Sequence, residues 1–266
     1  MIDTPAKPAA PESPEPAAYP ARKVWWILGG SITGAALVTG VAIFGSWSWV
    51  VSSTDEDETR TKEYDQAVDA VDVRADVGDI AFEAVDGTAL EFQLKTRWLG
   101  EEPETREDWD GDVFSATGEC AQGRFFGLDV DQCQTNYVLG LPAGTDATAE
   151  TDVGTVSLEG VDGAVDVETG VGDVVGEDLR ATSTTIESGV GSVTLEYDQV
   201  LGDIVIDAGT GDVIITVPDD GTTYDVDFEG GVGDRNIEIA TDPSVQADYT
   251  IAVTSGVGSL TVRYGH

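Results

Sequence analysis

Apolar and polar residues alternate with a period of two through much of the second half of the chain. In Ala164-Val165-Asp166-Val167-Glu168 the valines fall on one face and the acids on the other. Tyr224-Asp225-Val226-Asp227-Phe228-Glu229 interleaves apolar and acidic residues in the same way. Tyr249-Thr250-Ile251-Ala252-Val253-Thr254 sets Tyr249, Ile251 and Val253 on one side. Period two is that of a half-buried β-strand, whose successive side chains point to opposite faces. Residues 212–217 form a nearly continuous apolar run instead, the pattern of a strand covered on both faces.

Residues 24–51 (VWWILGGSITGAALVTGVAIFGSWSWVV) carry no charge over 28 positions. As a helix they would span about 42 Å against a hydrocarbon core of about 30 Å, so this stretch predicts a transmembrane α-helix. Trp25 and Trp26 mark one end, and Trp47 and Trp49 the other, as interfacial anchors do. Arg22 and Lys23 precede the stretch, while Asp55, Glu56, Asp57 and Glu58 follow it. The excess of positive charge before the span predicts a cytoplasmic N-terminus and an exported C-terminal part, in a single-pass cell-membrane protein. The rival reading, a cleaved signal peptide, fits less well, because the apolar stretch is too long and no clear A-x-A site follows. Gly30-xxx-Gly34 and Ala36-xxx-Gly40 place small residues four apart, a pattern that permits a weak helix homodimer. Residues 1–23 hold six of the ten prolines and six alanines, which predicts a disordered Pro/Ala-rich tail. Residues 52–67 read as an acidic juxtamembrane linker, and 68–266 as the exported β-repeat domain.

A short phrase punctuates that domain: Gly, any residue, Gly, a small polar residue, then an aliphatic one. It occurs at Gly170-Val171-Gly172-Asp173-Val174, Gly189-Val190-Gly191-Ser192-Val193, Gly209-Thr210-Gly211-Asp212-Val213 and Gly256-Val257-Gly258-Ser259-Leu260. Gly231-Val232-Gly233-Asp234 is followed by Arg235 rather than an aliphatic residue. The copies around Gly78 and Gly154 lack the first glycine. From Gly154 to Gly258 the second glycines lie 18, 19, 20, 22 and 25 positions apart. A period of about 20 residues is the signature of a solenoid. Each period holds two short strands, one on either side of the glycine phrase. Further turns fall at Val161-Asp162-Gly163, Leu201-Gly202-Asp203 and Pro218-Asp219-Asp220-Gly221. The small polar residue after the glycines is expected to bond locally to the turn backbone. Seven rungs at about 4.8 Å would stack to roughly 30–35 Å. The predicted fold is thus all-β, a β-solenoid (β-helix-like) preceded by one transmembrane helix, with an antiparallel β-sandwich as the alternative.

Strands punctuated by this phrase, as in VDVETGVGDVVGEDL, TIESGVGSVTLEY and IVIDAGTGDVIITV, resemble the candidate-adhesin domains of unknown function DUF4097. They also resemble the related head-GIN auto-transporter adhesin domain. The resemblance covers roughly residues 68–98 and 136–264. It implies a β-helix-like solenoid on a cell-envelope protein and supplies no catalytic residues.

Residues 99–135 read as an insert, because they interrupt the repeat. They hold both cysteines, Cys120 and Cys133. An isolated pair in one loop outside the membrane is read as a disulfide rather than a metal or redox site. Trp109, Phe114, Phe125 and Phe126 make the insert unusually aromatic, either packing over one end or side of the solenoid or forming a contact surface.

Composition then changes the picture. The chain has 51 acidic against 13 basic residues and a formal net charge of −38 over 266 residues. Aspartate supplies 31 of the acids, and only four of the basic residues are lysine. Such a surface repels phosphate backbones and anionic headgroups, which excludes nucleic-acid binding. Acid-rich, lysine-poor usage in a chain that is 41% hydrophobic fits a domain built for multimolar salt, of a haloarchaeal type.

No chemistry stands out. The only histidine is His266, and no GxSxG, HExxH, CxxC or phosphate-binding loop occurs. The aspartate spacing lacks the nonapeptide period of a calcium β-roll, so no metal and no cofactor are expected. The expected function is structural or adhesive, non-enzymatic, at the cell surface, with an envelope protein or glycan as partner. The alternatives are an envelope-sensing or regulatory accessory membrane protein and, less favoured, a glycan-active β-helical enzyme.

Overall fold

The computed structural model describes residues 55–120, 124–125, 128–129, 133–240 and 246–265. The tail 1–23, the apolar span 24–51 with Trp25, Trp26, Trp47 and Trp49, and Phe126 lie outside the described residues. Among the described residues every regular element is a β-strand. In chain order these begin with β1 (Asp55–Tyr64), β2 (Ala70–Val77), β3 (Ile80–Ala84) and β4 (Leu90–Leu99). Next come β5 (Glu104–Asp110), β6 (Val113–Glu119), the short hairpin β7 (Arg124–Phe125) and β8 (Leu128–Asp129), and β9 (Cys133–Leu141). Strands then come in pairs: β10 (Asp146–Val153) with β11 (Val156–Glu159), and β12 (Ala164–Val171) with β13 (Val174–Leu179). These are followed by β14 (Ser183–Val190) with β15 (Val193–Tyr197), and β16 (Ile204–Thr210) with β17 (Val213–Val217). The last pairs are β18 (Tyr224–Val232) with β19 (Arg235–Ile237), and β20 (Tyr249–Val257) with β21 (Leu260–Tyr264).

Each pair is one rung. Its first strand joins a nine-stranded sheet, its second a ten-stranded sheet, and the glycine phrase turns the corner between them. From β2 and β3 onward the rungs stack parallel and in register, Val167 beside Ile186 and Ile186 beside Ile206. This is a β-solenoid and not an antiparallel sandwich. Side chains at alternate positions point inward and are buried, among them Val165, Val167, Ile186, Ile206, Ile251, Val193, Leu195 and Ile215. Burying one such side chain contributes roughly 1.5–3 kcal/mol. No rung could bury its inner face alone, which is why the repeat exists as a stack.

Three features depart from the sequence reading. First, residues 55–64 are a strand rather than a linker. β1 pairs antiparallel with β4 over ten positions, from Asp55 opposite Leu99 to Tyr64 opposite Leu90. Its charged sequence hides this, because the outward edge of β4, whose inner face is buried, supplies the hydrogen-bond partners.

Second, the insert contains a rung in disguise. β6 lies parallel to β2, and β9 parallel to β3. Thr135 and Asn136 occupy the corner position of Gly78 and Asp79, one rung further out. Cys120 and Cys133, at the two sides of that corner, are joined by a disulfide with Cα atoms 5.8 Å apart. β5 then runs antiparallel on β6, and β4 and β1 continue antiparallel beyond β9. This end is closed by aromatic rings: Phe114 stacks within 5.0–5.4 Å of Trp109, Tyr64 and Phe92. Trp109 and Phe114 therefore serve packing.

Third, the rungs do not stack in chain order. β20 lies between β16 and β18, and β21 between β17 and β19. The Gly258 rung fills a slot between the Gly211 and Gly233 rungs. Arg235 explains the exchange. The position after Gly-Asp or Gly-Ser faces the core, and Val174, Val193, Val213 and Leu260 are buried there. A guanidinium cannot be sandwiched between two such rungs without partners. At the end of the stack Arg235 stays exposed and donates to the Val226 carbonyl at 2.9 Å. The Gly258 rung, which has Leu260 at that position, takes the interior place.

Candidate functional site

The glycine corner is where the repeat is most constrained and where its surface is least ordinary. A Cβ on Gly172 would stand 1.8 Å from the Gly154 carbonyl oxygen. The same approach recurs at Gly154 over Gly78 (1.9 Å), Gly191 over Gly172 (1.9 Å) and Gly211 over Gly191 (1.8 Å). It continues at Gly258 over Gly211 and Gly233 over Gly258, both 1.8 Å, and Gly78 meets the Thr135 carbonyl at 1.9 Å. All seven second glycines thus form one ladder of stacked backbone, and only a residue without Cβ lets consecutive corners approach this closely. The first glycines make a second ladder with looser clearances, for instance 2.5 Å at Gly189 and Gly209.

Asp79, Asp173 and Asp212 do not make the bond within their own turn that the sequence suggests. They reach across rungs. Asp79 Oδ1 accepts from Thr155 N–H at 2.9 Å, Asp173 Oδ1 from Ser192 N–H at 2.8 Å, and Asp212 Oδ1 from Ser259 N–H at 2.8 Å. Asn136 Oδ1 takes the same part toward Asp79 N–H at 2.9 Å, which marks it as the corner residue of the disguised rung. The opposite corner repeats the device, with Asp146 accepting from Ala164 and Asp203 from Thr250, each at 2.8 Å. A short carboxylate held above the next rung's amide caps a donor that the tight corner leaves without a strand partner.

The residue between the two glycines points outward. In register from rung to rung it is Val77, Val153, Val171, Val190, Thr210, Val257 and Val232. Val153, Val171, Val190, Val257 and Val232 are 47%, 50%, 52%, 50% and 68% exposed. These five are among only eight large hydrophobic residues exposed in the described part of the chain.

Two other clusters gather charged side chains. At the closed end Glu107 accepts from Tyr64 Oη at 2.6 Å and Arg60 Nη1 at 3.2 Å, and pairs with Lys62. Partial burial pushes this carboxyl up, but hydrogen bonds from Lys62, Tyr64 and Arg60 and the Lys62 charge outweigh it and hold the group below the usual range. Burial, with the Glu107 contact, pushes the Tyr64 phenol up. The cluster ties β1 of one sheet to β5 of the other. Its groups satisfy one another, so it is a clasp rather than a catalytic dyad.

Beside the disulfide, an open cleft of about 550 Å³ is lined by Arg74, Asp76, Arg106, Glu119, Glu150 and Asp152, among others. Arg74 is engaged by Asp72 and Glu150, Arg106 by Glu104, and Asp76 accepts from Cys120 N–H at 2.9 Å. Among the described residues no three His, Cys, Asp or Glu side chains converge as a metal ligand set.

Several solved structures align with this chain. A candidate cell adhesion protein of Clostridium sporogenes ATCC 15579 aligns at 12% identity over 79% of this chain and 100% of its own, with a TM-score of 0.47. A candidate adhesin of Bacteroides fragilis NCTC 9343 aligns at 14% identity over 77% of this chain and 97% of its own, with a TM-score of 0.42. Another from Parabacteroides merdae ATCC 43184 gives 13% identity, 79% and 97% coverage and a TM-score of 0.30. No curated protein matches the chain. The model of the family described as Toastrack DUF4097 matches residues 61–263, nearly the whole stack of rungs, and the chain belongs to that family.

Proposed function

We propose that this chain is a single-span membrane protein whose solenoid stands outside the cell and serves a structural or adhesive, non-catalytic role in the envelope. The observation that carries this reading is the surface of the stack. The rungs of the nine-stranded sheet are in register from β2 to β18, so its outward side chains form straight rows, such as Glu168, Glu187 and Asp207. Straight rows suit a repetitive envelope partner, protein or glycan, better than a small substrate. The uncharged stretch 24–51, with positive charge before it and acids after it, supplies the anchor and the orientation. Both arginines of the open cleft are already engaged, Arg74 by Asp72 and Glu150 and Arg106 by Glu104, which favours a display surface over a reaction site.

Protease treatment of intact cells tests the topology. Fragments from 55–266 should be released while an N-terminal epitope stays protected. Protection of the solenoid would overturn the exported arrangement. Deletion of the solenoid alone should then change cell–cell or cell–surface attachment, and unaltered attachment and envelope integrity would overturn the role.

A further inference from the structure

The line of valines at the glycine corner is unlike the rest of this surface. It runs Val153, Val171, Val190, Thr210, Val257, Val232 in spatial order, with Val77 half-buried at its head. Glycines flank every valine of the full phrase, so no neighbouring side chain shields it. Seven positions at about 4.8 Å make a ridge about 29 Å long. An apolar ridge of this kind on an otherwise acidic surface marks a contact site.

Its borders say what the contact is. On the ten-stranded side the corner row carries the exposed Asp79, Asp173, Asp212 and Asp234 on alternate rungs, with Thr155, Ser192 and Ser259 between them. Asp79, Asp173 and Asp212 each spend one carboxylate oxygen on the next rung's amide. On the nine-stranded side run Glu150, Glu168, Glu187 and Asp207, in register. A second copy laid ridge on ridge would set acid rows against acid rows, and an anionic bilayer would be repelled as well. The complement is a partner with an apolar line and cationic flanks.

The spacing selects its conformation. A strand lying along the ridge repeats same-face side chains every 6.6 Å or so, out of step with the rungs. An α-helix returns an apolar residue to one face every turn of about 5.4 Å, within about 0.6 Å of the rung spacing, so two successive turns stay beside successive valines. We infer that the valine ridge is the docking site of a cationic amphipathic α-helix, its apolar stripe on Val153, Val171, Val190, Val257 and Val232 and its Lys/Arg flanks between the two acidic rows. This inference rests on reading the domain as a non-catalytic binding surface. It does not depend on where in the cell the chain resides.

The test uses the full-length chain in nanodiscs of uncharged phosphatidylcholine, with empty nanodiscs subtracted. The probe is a fluorescent 18-residue Leu/Lys peptide of helical periodicity, beside a peptide of the same composition in scrambled order. Val171→Ser, Val190→Ser and Val257→Ser together should weaken the periodic peptide about tenfold, while circular dichroism stays that of the wild type. Val→Ile at the same three positions should keep the affinity. Glu168→Gln, Glu187→Gln and Asp207→Asn together should flatten its salt dependence. Equal binding of the scrambled peptide, or a serine triple that binds like the wild type, would overturn the site. So would a wild-type dimer that the serine triple dissociates, because the ridge would then belong to a second copy. A failure here leaves the cell-surface test untouched, so the two readings stand or fall separately.

Discussion

A methyl group on Gly191 would lie 1.9 Å from the carbonyl oxygen of Gly172, and the neighbour is backbone, which cannot swing aside. Gly144 has a positive φ of 80° but nothing within 4 Å of an added Cβ. The two positions separate two costs that glycine substitutions usually mix. Gly144→Ala should cost only the left-handed backbone penalty, roughly 1–2 kcal/mol. Gly191→Ala adds a forced separation of rungs and should cost about 3 kcal/mol or more. Urea melts of the two variants check this, and equal losses would show that rung contact is not what the corner glycines protect. Glu107 makes a second residue-level case. Its folded pKa is depressed, so its stabilising effect is complete above the ordinary glutamate value of about 4.3 and is lost as pH falls through the folded value. Glu107→Gln should lower the melting temperature at neutral pH, with the gap to wild type narrowing on acidification. A gap independent of pH would mean that the clasp with Arg60, Lys62 and Tyr64 acts by shape rather than charge.

At the scale of elements, the alternating patterns of β12, β16 and β20 and the glycine phrases were sufficient to read a stack of two-strand rungs from the sequence. What stayed hidden depended on partners far along the chain. β1 carries mostly charged side chains and becomes a strand only against the free edge of β4. The rung formed by β6 and β9 has no glycine phrase, and only Asn136, standing where other rungs carry Asp or Ser, betrays it. Arg235 was visible as a break in the repeat, yet its meaning emerges only when one asks which rung can tolerate a charge facing the core. That placement has a consequence for truncation. Ending the chain after residue 245 removes β20 and β21, so β18 and β19 lose the only strands they pair with among the described residues. Hydrogen exchange should then show lost protection across 224–237, while 147–179 stays protected; retained protection at 224–237 would contradict the exchanged order. The disulfide acts at the other end. It closes a loop of 14 residues between β6 and β9, for which chain entropy predicts roughly 3 kcal/mol. Replacing Cys120 and Cys133 together with Ala should lower stability by about that amount and loosen β6 and β9 first, and a neutral result would mean the rung holds by pairing alone.

For the whole molecule, parallel in-register stacking converts composition into geometry. Any acid at a repeated outward position is laid beside its counterpart one rung away, as Glu150, Glu168, Glu187 and Asp207 are. Like charges directly opposite one another destabilise neighbouring strands. The strain depends on salt in a way the rung spacing makes definite. At 0.01 M the Debye length is about 30 Å, comparable with the stack, so each carboxylate feels its whole row. At 1 M it is about 3 Å, shorter than the rung spacing of about 4.8 Å, and even adjacent carboxylates are largely screened. The net charge of −38 is therefore tolerable for a solenoid in concentrated salt and costly in dilute buffer. The melting temperature of the full-length chain should climb steeply between 0.01 and 1 M KCl and flatten above. The variant carrying Glu168→Gln, Glu187→Gln and Asp207→Asn should be more stable than wild type at the dilute end and converge with it at the concentrated end. Parallel curves for the two proteins would mean that the rows are not the origin of the salt response, and that the acids act only through hydration of the surface at large.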